Sequence, residues 1–172
     1  GLTLRPSLPP VQNKNGNAIY SPETELARHF IGLDSMPIIG YGEMNWLAEQ
    51  LGLEADSLIK PAPYQALTAL ASALHMELST AFGWVGDIIY DPSHIDGLLF
   101  GSAEEIELHI FEDSIVGILA CQRAVKILSG QYKVHIQEHG IGSHPVKVAA
   151  LKSVGATINE DINQALILAL HQ

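Results

Sequence analysis

The chain has 172 residues, 47% of them hydrophobic, and its nineteen acidic and nine basic residues give a formal net charge of −10. This length and hydrophobic fraction predict one folded domain with a substantial core and exclude intrinsic disorder. The sequence has no basic run, so nucleic-acid binding has no electrostatic basis, and no apolar stretch approaches the length of a membrane span. A phosphate ligand would therefore need a metal ion or a local group of backbone N–H donors.

The cysteine content and the N-terminal sequence bear on the cellular compartment. Cys121 is the only cysteine, which excludes an intrachain disulfide, and it falls in an apolar segment where a buried, inert thiol is expected. The first residues lack the apolar stretch of a signal peptide. We therefore expect a cytoplasmic protein, and the sequence is compatible with a homo-oligomer.

The first third of the chain predicts short elements around an extended arm. Residues 1–23 are rich in proline and asparagine and favour an arm with a turn. Residues 22–30 and 43–51 have helical spacing, and the second helix is expected to stop at Gly52. Between them, the apolar residues 37–42 are bounded by proline and glycine and fit either a buried strand or a tight loop.

In the middle of the chain, a strongly periodic helix is followed by a segment of different amino-acid composition. Residues 62–77 carry apolar side chains at a period of 3.6 residues. Residues 78–105 combine several glycines with aromatic side chains that include Phe82 and Trp84, and we interpret this stretch as an insertion or a lid. The alternative is that the aromatic residues pack against the core.

The remainder alternates strands and helices. The predicted elements are a strand at 106–111, a helix at 115–129, a strand at 132–137, a helix at 145–154, a short edge strand at 157–158 and a closing helix at 159–171. Such alternation indicates parallel strands joined by right-handed crossovers. The predicted fold is thus a single α/β domain with an open, mostly parallel Rossmann-like sheet flanked by helices.

Two adjacent acids end the strand at 106–111. Glu112 and Asp113 follow it directly, and Ser114 is placed to cap the next helix. In open α/β sheets the carboxyl ends of the strands form the ligand-binding edge. Two neighbouring carboxylates repel each other unless a cation lies between them, and Mg²⁺ prefers oxygen ligands. The alternative is a helix cap whose acids are favoured by the helix dipole.

Two segments together resemble the haloacid-dehalogenase superfamily of hydrolases. Lys60-Pro61-Ala62-Pro63, at the start of a helix, resembles the family's lysine motif, and Phe111-Glu112-Asp113-Ser114-Ile115-Val116-Gly117 resembles its acidic motif. The lysine precedes the acids, as in the family, and the resemblance covers residues 57–165. It implies a HAD-like fold and phosphatase-type chemistry on a small phosphorylated molecule.

The resemblance also implies roles for individual residues. Glu112 and Asp113 would hold Mg²⁺, and Lys60 would contact the nucleophilic aspartate and the phosphoryl group as a catalytic residue. Ser114 would cap the helix or support the metal site. Without the family context, Lys60 is interpreted as a solvated lysine at the start of a helix.

The chain departs from the family at the nucleophile. Hydrolytic members carry Asp-x-Asp-x-Thr/Val on their first strand, and this sequence contains no such motif. At the family's phosphate-binding Ser or Thr, Gly40 and Tyr41 supply only backbone N–H groups. Either the nucleophile lies upstream of Gly1, or the protein has kept the fold and lost the nucleophile. The status as an enzyme therefore stays open, with a non-catalytic binding or interaction domain as the alternative.

Histidines form one further candidate site. His135, His139 and His144 are predicted to surround the end of one strand together with Glu138. Imidazole and carboxylate groups suit a transition metal, but the spacing matches no metal signature, and surface histidines are the alternative.

Overall fold

The computed structural model describes residues 1–10, 20–74, 77–93, 95 and 105–171. The first half is helical, with a 3₁₀ turn at Ala55–Ser57 and four helices: α1 (Glu23–Phe30), α2 (Tyr41–Leu51), α3 (Tyr64–Ala73) and α4 (Leu78–Tyr90). The second half alternates β1 (Glu105–Glu112), α5 (Ile115–Leu128), β2 (Lys133–Ile141), α6 (Pro145–Ser153), β3 (Thr157–Asn159) and α7 (Ile162–Leu170). No helix among the described residues has both the length and the hydrophobicity needed to cross a bilayer.

The three strands form one parallel sheet in the order β1-β2-β3. In the register of the first pair, Glu105 lies opposite Lys133 and Glu112 lies opposite Gly140, so both strands reach the same edge. Among the residues that the structure describes, the third strand pairs with the last three residues of β2. This arrangement confirms the predicted α/β class and its open parallel sheet.

One face of β1 belongs to the core because its residues alternate. Ile106 and Ile110 are buried, and α5 packs on this part of the sheet with Ile118 and Leu128, which are fully buried. On the other face, Glu107 is exposed. The alternation therefore fixes which side chains of the strand can face α5, and Glu112, two residues beyond Ile110, lies on that same side.

The N-terminal arm is tied to the domain over its first residues. Leu2 and Ile39 form a parallel bridge, in which the Ile39 N–H donates to the Gly1 carbonyl at 2.9 Å and the Thr3 N–H donates to the Ile39 carbonyl at 3.0 Å. Further along the arm, the Ser7 side chain is buried, with 1% of its surface exposed. Of the apolar residues 37–42, Ile39 forms the bridge, and the last two residues begin α2. Residues 11–19 of the predicted arm lie outside the described residues.

The interpretation of residues 78–105 as a lid is corrected for its first half. Residues 78–90 form α4, and Phe82 and Trp84 are only 2% and 5% exposed because they belong to the core. The aromatic residues thus follow the core-packing alternative. Of the remainder of this segment, residues 94 and 96–104 lie outside the described residues.

The second strand is longer than its sequence pattern predicts. It continues past Gln137 to Ile141, so Glu138 and His139 belong to the sheet and not to a loop. These residues pair with β1 on one side, and from His139 onward with β3 on the other. Main-chain pairing therefore keeps the polar residues Glu138 and His139 within the strand.

Candidate functional site

A nearly buried ion pair lies at the carboxyl edge of the sheet. Lys60, in the loop before α3, places its Nζ 2.9 Å from Oε1 of Glu112, the last residue of β1. The two side chains are 9% and 10% exposed. The structure therefore brings together the lysine and the first of the two acids that the sequence singled out, although 52 residues separate them.

Gly117 makes room for the Glu112 carboxylate. A Cβ atom added to Gly117 would lie 2.1 Å from the carboxylate carbon, so only glycine fits this close approach. The carboxylate thus rests against the first turn of α5, where the helix dipole favours a negative charge.

Ser114 fulfils the predicted role of helix cap. Its Oγ accepts a hydrogen bond of 3.3 Å from the Gly117 N–H, which is characteristic of an N-cap residue. The same hydroxyl donates to Oε2 of Glu112 at 3.4 Å. Ser114 therefore links the start of α5 to the acidic residue beside it.

The loop that carries Lys60 is held by α5. The guanidinium of Arg123 donates from Nη1 to the carbonyl oxygen of Pro61 at 2.8 Å, and the peptide bond between Lys60 and Pro61 is cis. The carbonyl of Ile59 also accepts a hydrogen bond from the Ala62 N–H at 2.9 Å. These contacts position the lysine from both the loop and the facing helix.

Asp113 turns to a different partner. Its Oδ2 lies 2.8 Å from Nζ of Lys147, which belongs to the first turn of α6, and the two side chains are 68% and 39% exposed. Each acid of the predicted Mg²⁺ site is therefore paired with its own lysine. Oxygen donors suit Mg²⁺, but no three His, Cys, Asp or Glu side chains of the described chain are placed to hold a metal. As arranged, these residues do not fit a resident Mg²⁺ ion.

Gly40 and Tyr41 use their backbone N–H groups within the fold. The Gly40 N–H donates to Oε2 of Glu43 at 2.9 Å, and the Tyr41 N–H donates to the Arg5 carbonyl at 3.1 Å. Neither N–H is available to an anion in this structure. The predicted phosphate-holding role of these two residues therefore has no support from the geometry.

Glu43 is buried in a second polar cluster, which it forms with Ser7 and Gly40. Its carboxylate accepts hydrogen bonds from the Ser7 hydroxyl and from the Gly40 N–H. Burial raises the pKa of Glu43, and these hydrogen bonds oppose the shift. A carboxyl group with a raised pKa binds its proton more tightly in the folded state than in the unfolded chain.

The histidines do not assemble into the predicted metal site. His135 pairs with Glu105 at the opposite end of the strands, and His144 is exposed at the start of α6. His139 is buried, stacks on Phe111 at a centroid distance of 4.7 Å, and has its Nε2 atom 3.3 Å from Nδ1 of His109. Burial lowers the pKa of His139, with a smaller contribution from His109, which favours a neutral ring.

A cavity of about 280 Å³ lies beside β1. It is mostly apolar, and its lining includes Leu2, Ala66, Leu108 and Cys121, together with Glu112 from the ion pair. Burial raises the pKa of the Cys121 thiol to about 12, with a further contribution from the Glu112 charge. The predicted inert character of this cysteine agrees with its position in the core.

Three residues of the site have roles that the sequence did not predict. Gly117 is part of the acidic motif, but the requirement for glycine at this position becomes visible only once the Glu112 side chain is placed. Arg123 acts across 62 residues on the Pro61 carbonyl, which no local pattern reveals. Lys147 had a usable signal, since the first turn of a helix that follows a neighbouring parallel strand lies at the same sheet edge as Asp113.

Comparisons with protein-family models, with curated proteins and with solved structures find no match for this chain. Its function therefore has to be inferred from the site itself.

Proposed function

We propose that this protein is related to the haloacid-dehalogenase hydrolases and performs phosphatase-type chemistry on a small phosphorylated molecule when a nucleophilic segment is supplied upstream of Gly1. The observation that carries the proposal is the ion pair between Lys60 and Glu112 at the carboxyl edge of a parallel sheet. This edge is where open α/β folds bind their ligands.

A nearly buried ion pair adds little to the free energy of unfolding. Removing two charges from water costs several kcal/mol per ion, and their attraction does not reliably offset that cost. A lysine held at 9% exposure on a ligand-binding edge is better explained by a need for fixed positive charge. The cap residue Ser114 and the Arg123 contact to Pro61 hold the pair from two directions.

The chemistry that these residues support is charge stabilisation. An ammonium group has three N–H donors, and the bond to Glu112 uses one of them, so Lys60 can donate to a phosphoryl oxygen. Glu112 orients the lysine through the 2.9 Å contact with its ammonium group. A preorganised cation of this kind stabilises the negative charge that develops in phosphoryl transfer. The attacking group is supplied by neither residue.

The cavity beside β1 offers a place for the nucleophilic segment. Within the described residues β1 pairs with β2 alone, and the cavity separates its residues 108–112 from Gly1 and Leu2, which continue into the parallel bridge with Ile39. An additional parallel strand in this cavity would pair with the edge of β1 that has no partner strand in the described part of the chain. Its carboxyl end would then lie near Lys60 and Glu112. Gly1 itself lines this cavity, so residues added before it would start at the cavity wall.

Mg²⁺ binding at Glu112 and Asp113 enters this proposal only together with the upstream segment, because the two carboxylates alone, each paired with a lysine, do not fit the ion. The two carboxylates supply oxygen donors of the right chemistry, and a bound cation would neutralise phosphate charge. Since Lys147 already pairs with Asp113, the cation has to displace that ammonium group.

Hydrolysis of p-nitrophenyl phosphate and a panel of small phosphate esters tests the function. The 172-residue chain is expected to be inactive, whereas the same chain with its upstream coding residues is expected to hydrolyse at least one ester. Lys60→Met in the extended chain should abolish turnover, and Lys126→Met, on an exposed position of α5, should retain it. An inactive extended chain that carries an in-frame Asp-x-Asp strand would overturn the proposal.

A non-catalytic domain on the same fold is the second candidate. It is favoured by the pairing of Asp113 with Lys147, which leaves the acidic edge neutralised without any added ion. Upstream coding sequence without an acidic strand, together with no turnover, would select this candidate.

A further inference from the structure

The closing helix α7 is apolar on every side but is covered on one side only. Seven of its nine residues are apolar, and the helix contacts all three strands of the sheet. In the described part of the chain, Ala165 is the one residue of this helix that is buried. A helix that is hydrophobic all round is normally buried on all sides. The outer side of α7 therefore lacks the cover that its composition predicts.

The exposed apolar residues of α7 form a continuous row along the helix. Ile162, Leu166 and Leu170 follow one another at intervals of four residues, and their exposed fractions are 42%, 41% and 81%. Ile167, which is 58% exposed, lies beside Leu166 and widens the row. Leu168 is separate, because it lines a cavity against β2 and β3. We refer to the other four residues as the α7 ridge, and an exposed apolar patch of this kind marks an interaction surface.

The charges of the chain favour a second copy as the partner. The net charge is −10, so most contacts between two copies would bring acidic residues together. Residues 162–170 contain no aspartate, glutamate, lysine or arginine, and contact through this helix avoids that repulsion. Asn163, exposed on the same side of the helix, supplies an amide that can hydrogen-bond across the contact.

The two ends of α7 carry complementary groups. Glu160 and Asp161 precede the helix, and the imidazole of His171 follows it, with all three side chains exposed. Antiparallel packing of two copies brings His171 of one chain to Asp161 of the other. Parallel packing would instead place the acidic ends of both helices together, where like charges repel. The charge distribution therefore selects the antiparallel orientation.

We infer that two copies of this chain associate through the α7 ridge, with the helices antiparallel about a two-fold axis at Leu166. In a two-fold interface, each contact between two different residues occurs twice. Ile162 then lies opposite Leu170, and Asp161 lies opposite His171, because both pairs are centred on residue 166. This interface goes beyond the proposed function and does not depend on it.

The size of the α7 ridge predicts a weak dimer. At the exposed fractions given above, the four side chains of both copies would remove roughly 900 Å² from water, which lies at the low end of specific interfaces. We therefore expect a dissociation constant on the order of 10 μM.

Sedimentation velocity of the 172-residue chain over about 1 to 200 μM, a range that brackets this constant, tests the inference. The wild type should change from a species of 18.6 kDa to one of twice that mass as its concentration increases. Leu166→Glu places two carboxylates at the axis and should weaken association at least about 100-fold. Val146→Glu changes another exposed apolar residue, on α6, and should leave association unchanged.

A cysteine cross-link tests the register without adding charge. The residue at the axis approaches its own counterpart, so Leu166→Cys should form a disulfide-linked dimer when it is oxidised with copper phenanthroline. Gln164→Cys, on a different side of the same helix, should remain uncross-linked, and the native Cys121 is buried. A wild type that stays monomeric over the whole range, a dimer that survives Leu166→Glu, or a Leu166→Cys variant that fails to cross-link would each overturn the inference.

Discussion

Gly117 lies directly against the carboxylate of Glu112, so closely that a methyl group at residue 117 would come within 2.1 Å of it. The glycine in the first turn of α5 and the acid at the end of β1 therefore form one unit. The sequence spacing Glu-Asp-x-x-x-Gly is a steric requirement of this unit, because the carboxylate has to turn back over the helix to reach Lys60.

Gly117→Ala is expected to destabilise the protein by about 2 kcal/mol, since the methyl group forces Glu112 away from Lys60 and strains a packed turn. Gly83→Ala is a matched control, because Gly83 is an exposed glycine of α4 with no atom within 4 Å of an added Cβ. This control should be neutral or more stable by about 0.5 kcal/mol. Denaturant unfolding measures both values, and equal stability of the two variants would contradict the steric account.

Breaking the buried ion pair on one side should be more harmful than removing both charges. Lys60→Met or Glu112→Gln alone leaves a charge buried without its partner, and each is expected to cost about 3 kcal/mol of unfolding free energy. The double variant Lys60→Met/Glu112→Gln should lose less than the sum of the two.

An exposed pair on the same sheet provides the control for this cycle. Lys133 and Glu105 are 67% and 56% exposed, with Nζ 2.9 Å from Oε1. Lys133→Met should therefore change the stability little. Strict additivity of the Lys60 and Glu112 substitutions would show that the two side chains do not interact in solution.

Periodic patterns predicted the second half of the fold well, and for a physical reason. Ile106, Leu108 and Ile110 alternate with other residues, as expected for a strand that turns one face to the core. The observed β1 lies within one residue of the bounds predicted from this alternation. The end of β2 was missed because Glu138 and His139 are polar, and their place in the sheet is set by main-chain pairing, with β1 for both residues and also with β3 for His139. Local side-chain patterns carry no information about such pairing.

The lid prediction is wrong for residues 78–90, where glycines suggested a loop and the structure has a helix. Gly83 and Gly86 are poor helix formers, yet both lie within α4. Gly86 is buried, with a side-chain atom of Leu51 3.7 Å from the position of an added Cβ, so tertiary packing outweighs helix propensity there. At the site, the resemblance assigned Lys60 and Glu112 to the same site without predicting their ion pair, and the pairing of Asp113 with Lys147 depends on how α6 leaves the sheet.

Cys121 should be unreactive in the folded protein. Burial raises the pKa of its thiol to about 12 from an ordinary value of 9.0, which lowers the thiolate fraction at pH 8 by about three orders of magnitude. A thiol-exchange reagent such as Ellman's should therefore react very slowly with the native chain and within seconds after unfolding in guanidinium chloride. Rapid reaction of the native chain would place the thiol in contact with solvent and contradict its assignment to the core.

Glu43 should make the stability of the protein decrease as the pH rises through the mildly acidic range. Burial raises its folded pKa above the ordinary value of 4.5, so between the unfolded and the folded pKa the native state holds the extra proton. Unfolding then releases a proton, and the unfolding free energy falls as the pH increases through that window.

Glu43→Gln keeps an oxygen acceptor for the Gly40 N–H but carries no titratable group. Denaturant titration from pH 4 to pH 8 measures the unfolding free energy of both proteins. Relative to Glu43→Gln, the unfolding free energy of the wild type should decrease as the pH rises and then level off. A difference that is independent of pH, or that changes in the opposite direction, would show that the carboxyl group is ionised and stabilised in the native cluster with Ser7.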